Sequence, residues 1–279
     1  LNTILRRIAI QGYEGSYHQR AAAHYFNHQL VVLPAHTFQD LVKYAMDASR
    51  SEGAVMAIEN SIAGSIMPNY TLLMESSLSI VGEIYVQIHH QLMALPGTRI
   101  EDLTEVHSHY MAIQQCRNFF ENYPNIHLVE TADTALAARD IAEKGLKNIA
   151  AIASISAAEL YNLDILAKGI ETVKNNYTRF LILSRDATSV DKPDKASVHF
   201  RVSHDPGSLL KALKVISDNG LNLSKIQSFP VIEEEWRYYF HCDLEFEELW
   251  QLESALEGLK GATEMLRVLG IYHKGETII

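Results

Sequence analysis

The chain has 279 residues, 47% of them apolar, which is length enough for two compact domains with real cores. Its formal net charge of −10 excludes the basic face that a nucleic-acid or anionic-membrane partner requires. Cys116 and Cys242 have neither disulfide nor metal spacing, and the short apolar run after Arg6 and Arg7 is neither a signal peptide nor a span, so a soluble cytoplasmic protein is expected.

In chain order, a strand over Arg7 to Gln11 leads through the turn Gly12-Tyr13-Glu14-Gly15 to Ser16. Ser16 stands three residues before Gln19, a capping-box spacing for a helix reaching about Asn27. A strand over Leu30 to Leu33 passes Pro34 to Thr37 and Asp40, cap-like again, and a helix to about Ser49. Ala54 to Glu59 is a third strand, ending in Asn60-Ser61-Ile62-Ala63-Gly64-Ser65. This rhythm predicts α/β architecture with a parallel sheet. Ile80 to Gln91 is a longer extended segment, expected to cross between lobes. A second set of units follows: strand Glu105 to His107, a helix opened by Ser108 and running through Ala112, Cys116 and Phe119, strand Ile126 to Val129, a helix capped by Thr131 or Asp133, strand Ile149 to Ala153, and a helix from Ser154 to Tyr161.

Asn176-Tyr177-Thr178-Arg179-Phe180 then opens an apolar run to Leu183, which reads as a buried strand returning to the first lobe. Alternation sends Thr178 and Phe180 to one face and Arg179 to the other. By itself the stretch also fits a strand-entry turn with a solvated arginine. Ser16, Thr37, Ser61, Ser108, Thr131 and Ser154 all stand where a strand gives way to a helix. Each alone is an N-cap. In a parallel α/β sheet, however, such junctions gather at one edge, where free amides favour anions. Two facing edges make a cleft for a small anion with more than one carboxylate, with Arg179 at that cleft.

From Asp186 to Lys195 the chain is polar and holds Pro193, a linker signal. Residues 196–279 then alternate as strand, helix, strand, strand, helix, strand, with an acidic turn at Pro230 to Glu235. This βαββαβ order is ferredoxin-like. No nucleophile–base pair or ligand cluster falls within it, which suits regulation or assembly.

These motifs resemble the prephenate dehydratases that carry a C-terminal ACT domain, over nearly the whole chain. The resemblance rests on Asn176-x-Thr178-Arg179-Phe180, on Ile58-Glu59-Asn60-Ser61-x-x-Gly64-Ser65, on Gly12, Gly15, Ser16 and Tyr17, on Ser108, His109, Ala112, Gln115 and Cys116, and on Ala150 to Ala158 with Tyr161. His18 and Tyr110 depart from the family pattern, where a small hydroxyl residue and a proline are expected. The resemblance implies a two-lobed, periplasmic-binding-protein-like catalytic domain over 1–185, with lobes of about 7–83 plus 172–185 and 84–171. A linker over 186–195 and an ACT domain over 196–279 complete the expected division.

It further implies decarboxylative dehydration of prephenate to phenylpyruvate in phenylalanine biosynthesis, without metal or organic cofactor. Expelling hydroxide unaided is slow, and Thr178 is expected to donate to the leaving oxygen, with water or a neighbour completing its protonation. Asn60, Ser61 and the amides around Ser16 and Ser108 would hold carboxylates, with Tyr17, Gly64, His109, Gln115, Ser154, Asn176 and Phe180 around them. Arg179 would either grip the pyruvyl carboxylate or support the cleft from behind, because clamping the departing carboxylate favours the ground state. Glu59 is an alternative acid or else a structural carboxylate. His89, His90, His107 and His109 lack an acidic third ligand for a metal, and Cys116 reads as core rather than nucleophile. Arogenate is an alternative substrate, and a non-catalytic anion- or amino-acid-binding protein is the reading from another class.

In the family, phenylalanine binds between paired ACT modules. The matching turn here is Pro206-Gly207-Ser208-Leu209-Leu210, and Leu221-Asn222-Leu223-Ser224 matches the strand that follows. The family's second segment, E-S-R-P, reads Gln227-Ser228-Phe229-Pro230, so a carboxylate and a guanidinium are replaced. Phenylalanine is expected to bind, but more weakly or with looser coupling than with the full motif. A homodimer or homotetramer built partly through residues 196–279 is expected.

Overall fold

A computed structural model describes residues 5–187, 189–231 and 236–279. The predicted acidic turn at 230–235 falls largely outside them. Two compact units result: Leu1–Ile66 with Ile84–Phe180 and Thr277–Ile279, and Met67–Glu83 with Leu181–Glu276. These limits are not the expected domain boundaries, since residues 67–83 group with the C-terminal residues.

The elements begin with β1 (Arg6–Gln11), α1 (Tyr17–Tyr25), β2 (Leu30–Ala35), α2 (Phe38–Met46), β3 (Gly53–Asn60) and β4 (Gly64–Ser65). Next come α3 (Met67–Glu75), β5 (Ser79–Gln87), β6 (Gln91–Ala94), β7 (Glu105–His109), α4 (Tyr110–Gln115), α5 (Arg117–Phe120) and β8 (His127–Thr131). They are followed by α6 (Thr134–Lys144), β9 (Ile149–Ala153), α7 (Ile155–Tyr161), β10 (Asp164–Ala167) and β11 (Tyr177–Ser184). The chain closes with β12 (Lys195–Arg201), α8 (Ser208–Asp218), β13 (Asn222–Pro230), β14 (Tyr238–Glu245), α9 (Leu249–Ala262), β15 (Met265–Tyr272) and β16 (Thr277–Ile278).

One sheet runs β16-β5-β11-β3-β1-β2, with β4 pairing β3, and a second runs β10-β6-β9-β7-β8. The chain therefore leaves the first sheet after Gln87, enters the second at Gln91 and rejoins the first at Tyr177. Buried residues from Gly53 to Ile58 give β3 its place between neighbours, because a strand covered on both faces needs a continuous apolar run. Alanine-rich β9 lets the helices carrying Ala137, Ala138, Ala157 and Ala158 pack closely on the second sheet. Among the described residues no helix is long and apolar enough to cross a membrane.

Several expected helix starts hold, and others move. Ser16, Thr37 and Ser154 accept from the amides of Gln19, Asp40 and Ala157 as predicted caps do. Ser108 instead lies in β7, donating to the Ile152 carbonyl at 2.6 Å, and His109 caps α4. The helix expected from Ser108 through Phe119 is broken at Cys116 into α4 and α5. Asp133, not Thr131, caps α6. Ser61 begins no helix; the turn after Asn60 closes the short β3–β4 pair.

The second unit contains the sheet β13-β14-β12-β15. With α8 and α9 this is the βαββαβ topology, cored by Val198, Phe200, Ile216, Leu244 and Leu252. Residues 67–83 join it through specific contacts. Lys195 Nζ pairs with buried Glu83 at 2.9 Å, and Arg267 donates to the carbonyls of Met74 and Ser76. Gly270 packs so tightly that a β-carbon there would lie 2.0 Å from the Ile80 carbonyl oxygen.

Candidate active site

Within the first unit a cavity of about 350 Å³ is lined from both sheets. From the first sheet and its connections come Ser16, Tyr17, His18, Phe38, Asn60, Thr178 and Phe180. His90, His109, Met111, Gln115, Asp133 and Thr134 come from the second. Seven predicted residues are thus brought together: Ser16, Tyr17, Asn60, His109, Gln115, Thr178 and Phe180. Glu59, Ser61, Gly64, Ser108, Ser154, Asn176 and Arg179 stand outside the lining.

The centre of the wall is built around Asn60. Its amide nitrogen donates to Asn176 Oδ1 at 2.7 Å, to Thr178 Oγ1 at 3.0 Å and to the Tyr177 carbonyl at 3.1 Å. Its amide oxygen accepts from Ile62 and Ala63 N–H at 3.0 and 2.9 Å. An asparagine so engaged positions others rather than meeting a ligand itself. Because Thr178 Oγ1 accepts from Asn60, its own O–H is left to donate into the cavity. Ser61 completes the staple, accepting from Tyr177 N–H at 2.9 Å.

Asn176 is buried and passes the network on. It donates to Gln115 Oε1 at 2.9 Å, and the same oxygen accepts from His90 Nε2 at 2.8 Å. His90 thus carries its proton on Nε2, and its Nδ1 is a buried acceptor with no protein partner among the described residues. Burial lowers the His90 pKa, and the Gln115 bond and Glu171 oppose the shift. Glu171 in turn accepts from His90 N–H at 2.9 Å and meets His89 Nδ1 at 3.0 Å. Tyr17 donates to the His89 carbonyl at 2.6 Å, and burial pushes its phenol far up, so it stays protonated.

Arg179 is buried, does not line the cavity and is engaged within the protein. Of the two expected roles, its position favours support from behind. Half-buried Glu59 lies opposite Ser65 in the β3–β4 pair, and exposed Gly64 takes the left-handed φ of +81° at that turn. Ser154 donates to the Gly15 carbonyl at 2.6 Å, and a β-carbon on Gly15 would come within 2.9 Å of Ala157 Cα. That glycine permits the close approach of the α1 turn to α7.

Among the lining groups that were not predicted site residues are His18 and Asp133. His18 accepts from Ala57 N–H at 3.3 Å and sits edge-on to Phe180 at 4.9 Å. Burial lowers its pKa to about 3, so the ring is neutral. Asp133, read in the sequence only as a cap, faces the cavity with a carboxyl pushed up by burial. Of the histidines with metal-ligand residue types, His107 pairs with Glu105 at 2.7 Å and His109 accepts from Met111 N–H at 3.2 Å. No cluster of three His, Cys, Asp or Glu side chains suited to a metal occurs among the described residues. Burial also raises the Cys116 thiol well above its ordinary value, so it is not a ready thiolate.

The family model "Prephenate dehydratase" matches residues 8–188, a stretch that includes every element lining this cavity. The chain belongs to that family. Arogenate dehydratase 2 of Petunia hybrida is 40% identical over 285 residues, covering 95% of this chain and 71% of the relative. A solved prephenate dehydratase from Arthrobacter aurescens in complex with L-Phe superposes with a TM-score of 0.86 at 26% identity, covering 96% of this chain and 90% of that one. A structure titled "GqqA- a novel type of quorum quenching acylases" superposes with a TM-score of 0.87 at 33% identity, covering 96% and 98%.

Proposed function

We propose that the cavity binds prephenate and that the protein converts it to phenylpyruvate, carbon dioxide and water in phenylalanine biosynthesis. The observation that carries this is the Thr178 hydroxyl, fixed as an acceptor of Asn60 at 3.0 Å and so turned to donate into a cavity of about 350 Å³. Prephenate carries its departing carboxylate and its pyruvyl side chain at one ring carbon and the departing hydroxyl at the carbon opposite. A donor whose hydrogen bond strengthens as charge builds on the leaving oxygen stabilises the transition state more than the ground state. Ser16 and the first amides of α1 supply a neutral, donor-rich end for the carboxylates. Arg179, buried outside the cavity lining and engaged within the protein, does not clamp the carboxylate that must depart.

An acyl hydrolase would need a hydroxyl activated by a base. Among the described residues Thr178 and Ser16 are bonded to the Asn60 amide and the Gln19 N–H, neither of them a base. The dehydratase reading is therefore favoured. Arogenate, differing by an amino group in place of the keto group, is the second substrate to test. The experiment is an absorbance assay for phenylpyruvate from prephenate, run beside an assay for phenylalanine from arogenate. Phenylpyruvate formation supports the reading, and neither product would reject it.

We further propose that β12 to β15 with α8 and α9 form an ACT module that binds L-phenylalanine between paired copies in a homodimer or homotetramer. Support comes from the βαββαβ topology and from Gly207, left-handed at φ +82° at the start of α8. Ser208 meets Ser203 at 2.8 Å, Leu209 and Leu223 pack on the module's core, and Asn222 donates to Glu245 at 3.3 Å.

A further inference from the structure

Removing hydroxide from a neutral alcohol consumes one proton, and a threonine hydroxyl is too weak an acid to supply it outright. The proton must come from a titratable group at the cavity. Those on the lining are Tyr17, His18, His90, His109 and Asp133. Tyr17 is committed to the His89 carbonyl, His18 accepts a hydrogen bond from Ala57 N–H and is held neutral by burial, and His90 donates to Gln115. His109 accepts from Met111 N–H at the exposed rim. Asp133 remains.

Its setting suits the hydroxyl end of the substrate. One oxygen, Oδ1, is fixed by Leu136 N–H at 2.9 Å, which caps α6 and holds the side chain in one rotamer. The other, Oδ2, lies against Gly12, where a β-carbon would stand 2.6 Å away; φ of +87° and the absence of a side chain at Gly12 make room for it. Two helix N-termini open at the cavity, α1 with the neutral cap Ser16 and α6 with Asp133. A dianionic guest places its carboxylates at the first, which leaves its hydroxyl for the second. We infer that Asp133 is the acid that protonates the departing hydroxyl of the substrate, an assignment that rests on the dehydratase reading above.

In the step, the Asp133 carboxyl proton passes to the ring oxygen and the carbon–oxygen bond breaks, releasing water. The electron pair of the bond to the departing carboxylate moves into the ring, which becomes aromatic, and carbon dioxide leaves. Asp133 is left as carboxylate and takes a proton from solvent, so each turnover consumes one solvent proton. Burial favours the protonated start, raising the carboxyl pKa against the amides of Leu136 and Ala135, His109 and Arg139. Around it stand His109 at the end of β7, Arg139 on its own helix and Tyr161 on α7, with His18, His90 and Tyr17 across the cavity.

The test is Asp133→Asn, assayed with prephenate beside the wild type across pH. Asparagine keeps the cap through its amide oxygen, so the fold is expected to survive; Asp133→Ser, a second capping residue, serves if circular dichroism shows otherwise. The expected result is a fall in kcat of roughly 10²–10⁴-fold with KM changed only a few-fold. The wild-type decline in kcat as rising pH removes the Asp133 proton should also be absent from the residual activity. A variant within a few-fold of wild-type kcat, or one that keeps the same decline with rising pH, would overturn the assignment. A wild type that forms no phenylpyruvate would instead reject the dehydratase reading.

Discussion

Asn60 Nδ2 stands 3.0 Å from Thr178 Oγ1, joining residues 118 positions apart, and so fixes which way the threonine hydroxyl can donate. Removing that hydroxyl tests the central proposal. Thr178→Ala is expected to lower kcat by roughly 10²–10⁴-fold, the range for losing a positioned proton donor or hydrogen bond to the leaving group. Thr178→Ser keeps the acceptor for Asn60 and the donor, and should retain far more. An alanine variant that folds and turns over within a few-fold of wild type would remove Thr178 from the mechanism.

Asn60 itself carries structure as well as orientation. Asn60→Ala strands Asn176 Oδ1 and the amides of Ile62 and Ala63, whose partner it removes. A cost of about 1–3 kcal/mol is expected for leaving part-buried Asn176 Oδ1 unsatisfied, whereas the exposed Ile62 and Ala63 amides can turn to water. Urea denaturation should register that loss, and kcat should fall while a Thr178→Ala background shows a smaller further fall. Independent, multiplicative effects of the two substitutions would show that Asn60 does not act through Thr178.

How far the site could be read from sequence depends on how local each signal was. Ser16, Thr37 and Ser154 were legible as caps because a cap is a contact over three residues. Ser108 looked the same but chose a partner 44 residues away, Ile152, which no local pattern displays. Asp133 was visible as a capping candidate; its facing the cavity arises from the second sheet's topology. Helix α3 went unread because Met67–Glu75 has little apolar periodicity and opens on Pro68; it is held by burying Asn69, Tyr70 and Leu73. The family motifs point to the cavity; Arg179 and Asn176, which share a motif with Thr178, stand outside its lining.

Acid should destabilise the protein through its buried histidines. His18 and His199 are held neutral mainly by burial, to about 3 and about 2. In the unfolded chain each binds a proton near pH 6.5, so below that value the unfolded state carries more protons. Stability therefore rises with pH across the window from the folded values up to about 6.5, by at most about 1.4 kcal/mol per pH unit for each ring. His199 lies among His241, Arg267 and Asp243, and neither of its ring nitrogens has a partner among the described residues. His199→Phe should flatten the acid slope of urea unfolding followed by Trp236 and Trp250 fluorescence, both tryptophans lying in the same unit. An unchanged slope between pH 7 and pH 5 would mean His199 is protonated in the folded state.

Phenylalanine feedback is best tested at Gln227 alone. Phe229, which stands where the family motif has a guanidinium, is 2% exposed and packs against Tyr239 and His199 with ring centroids 5.8 and 5.2 Å away. Phe229→Arg would bury a charge among aromatic rings and is expected to cost at least about 3 kcal/mol, so restoring both charges would confound binding with unfolding. Gln227 is different: its amide donates to the Ser228 carbonyl at 3.0 Å in an exposed bond, and a carboxylate there stays solvated. If this position sets affinity, Gln227→Glu gains a charge-assisted bond to the ammonium of phenylalanine. Such a bond is stronger than a neutral one by about 1 kcal/mol, roughly a five-fold tightening. Calorimetric titration of L-phenylalanine, with activity curves in parallel, should show weak binding and partial inhibition in the wild type and both strengthened in the variant. Tight binding and full inhibition in the wild type, unchanged by Gln227→Glu, would show that the missing carboxylate does not govern the response.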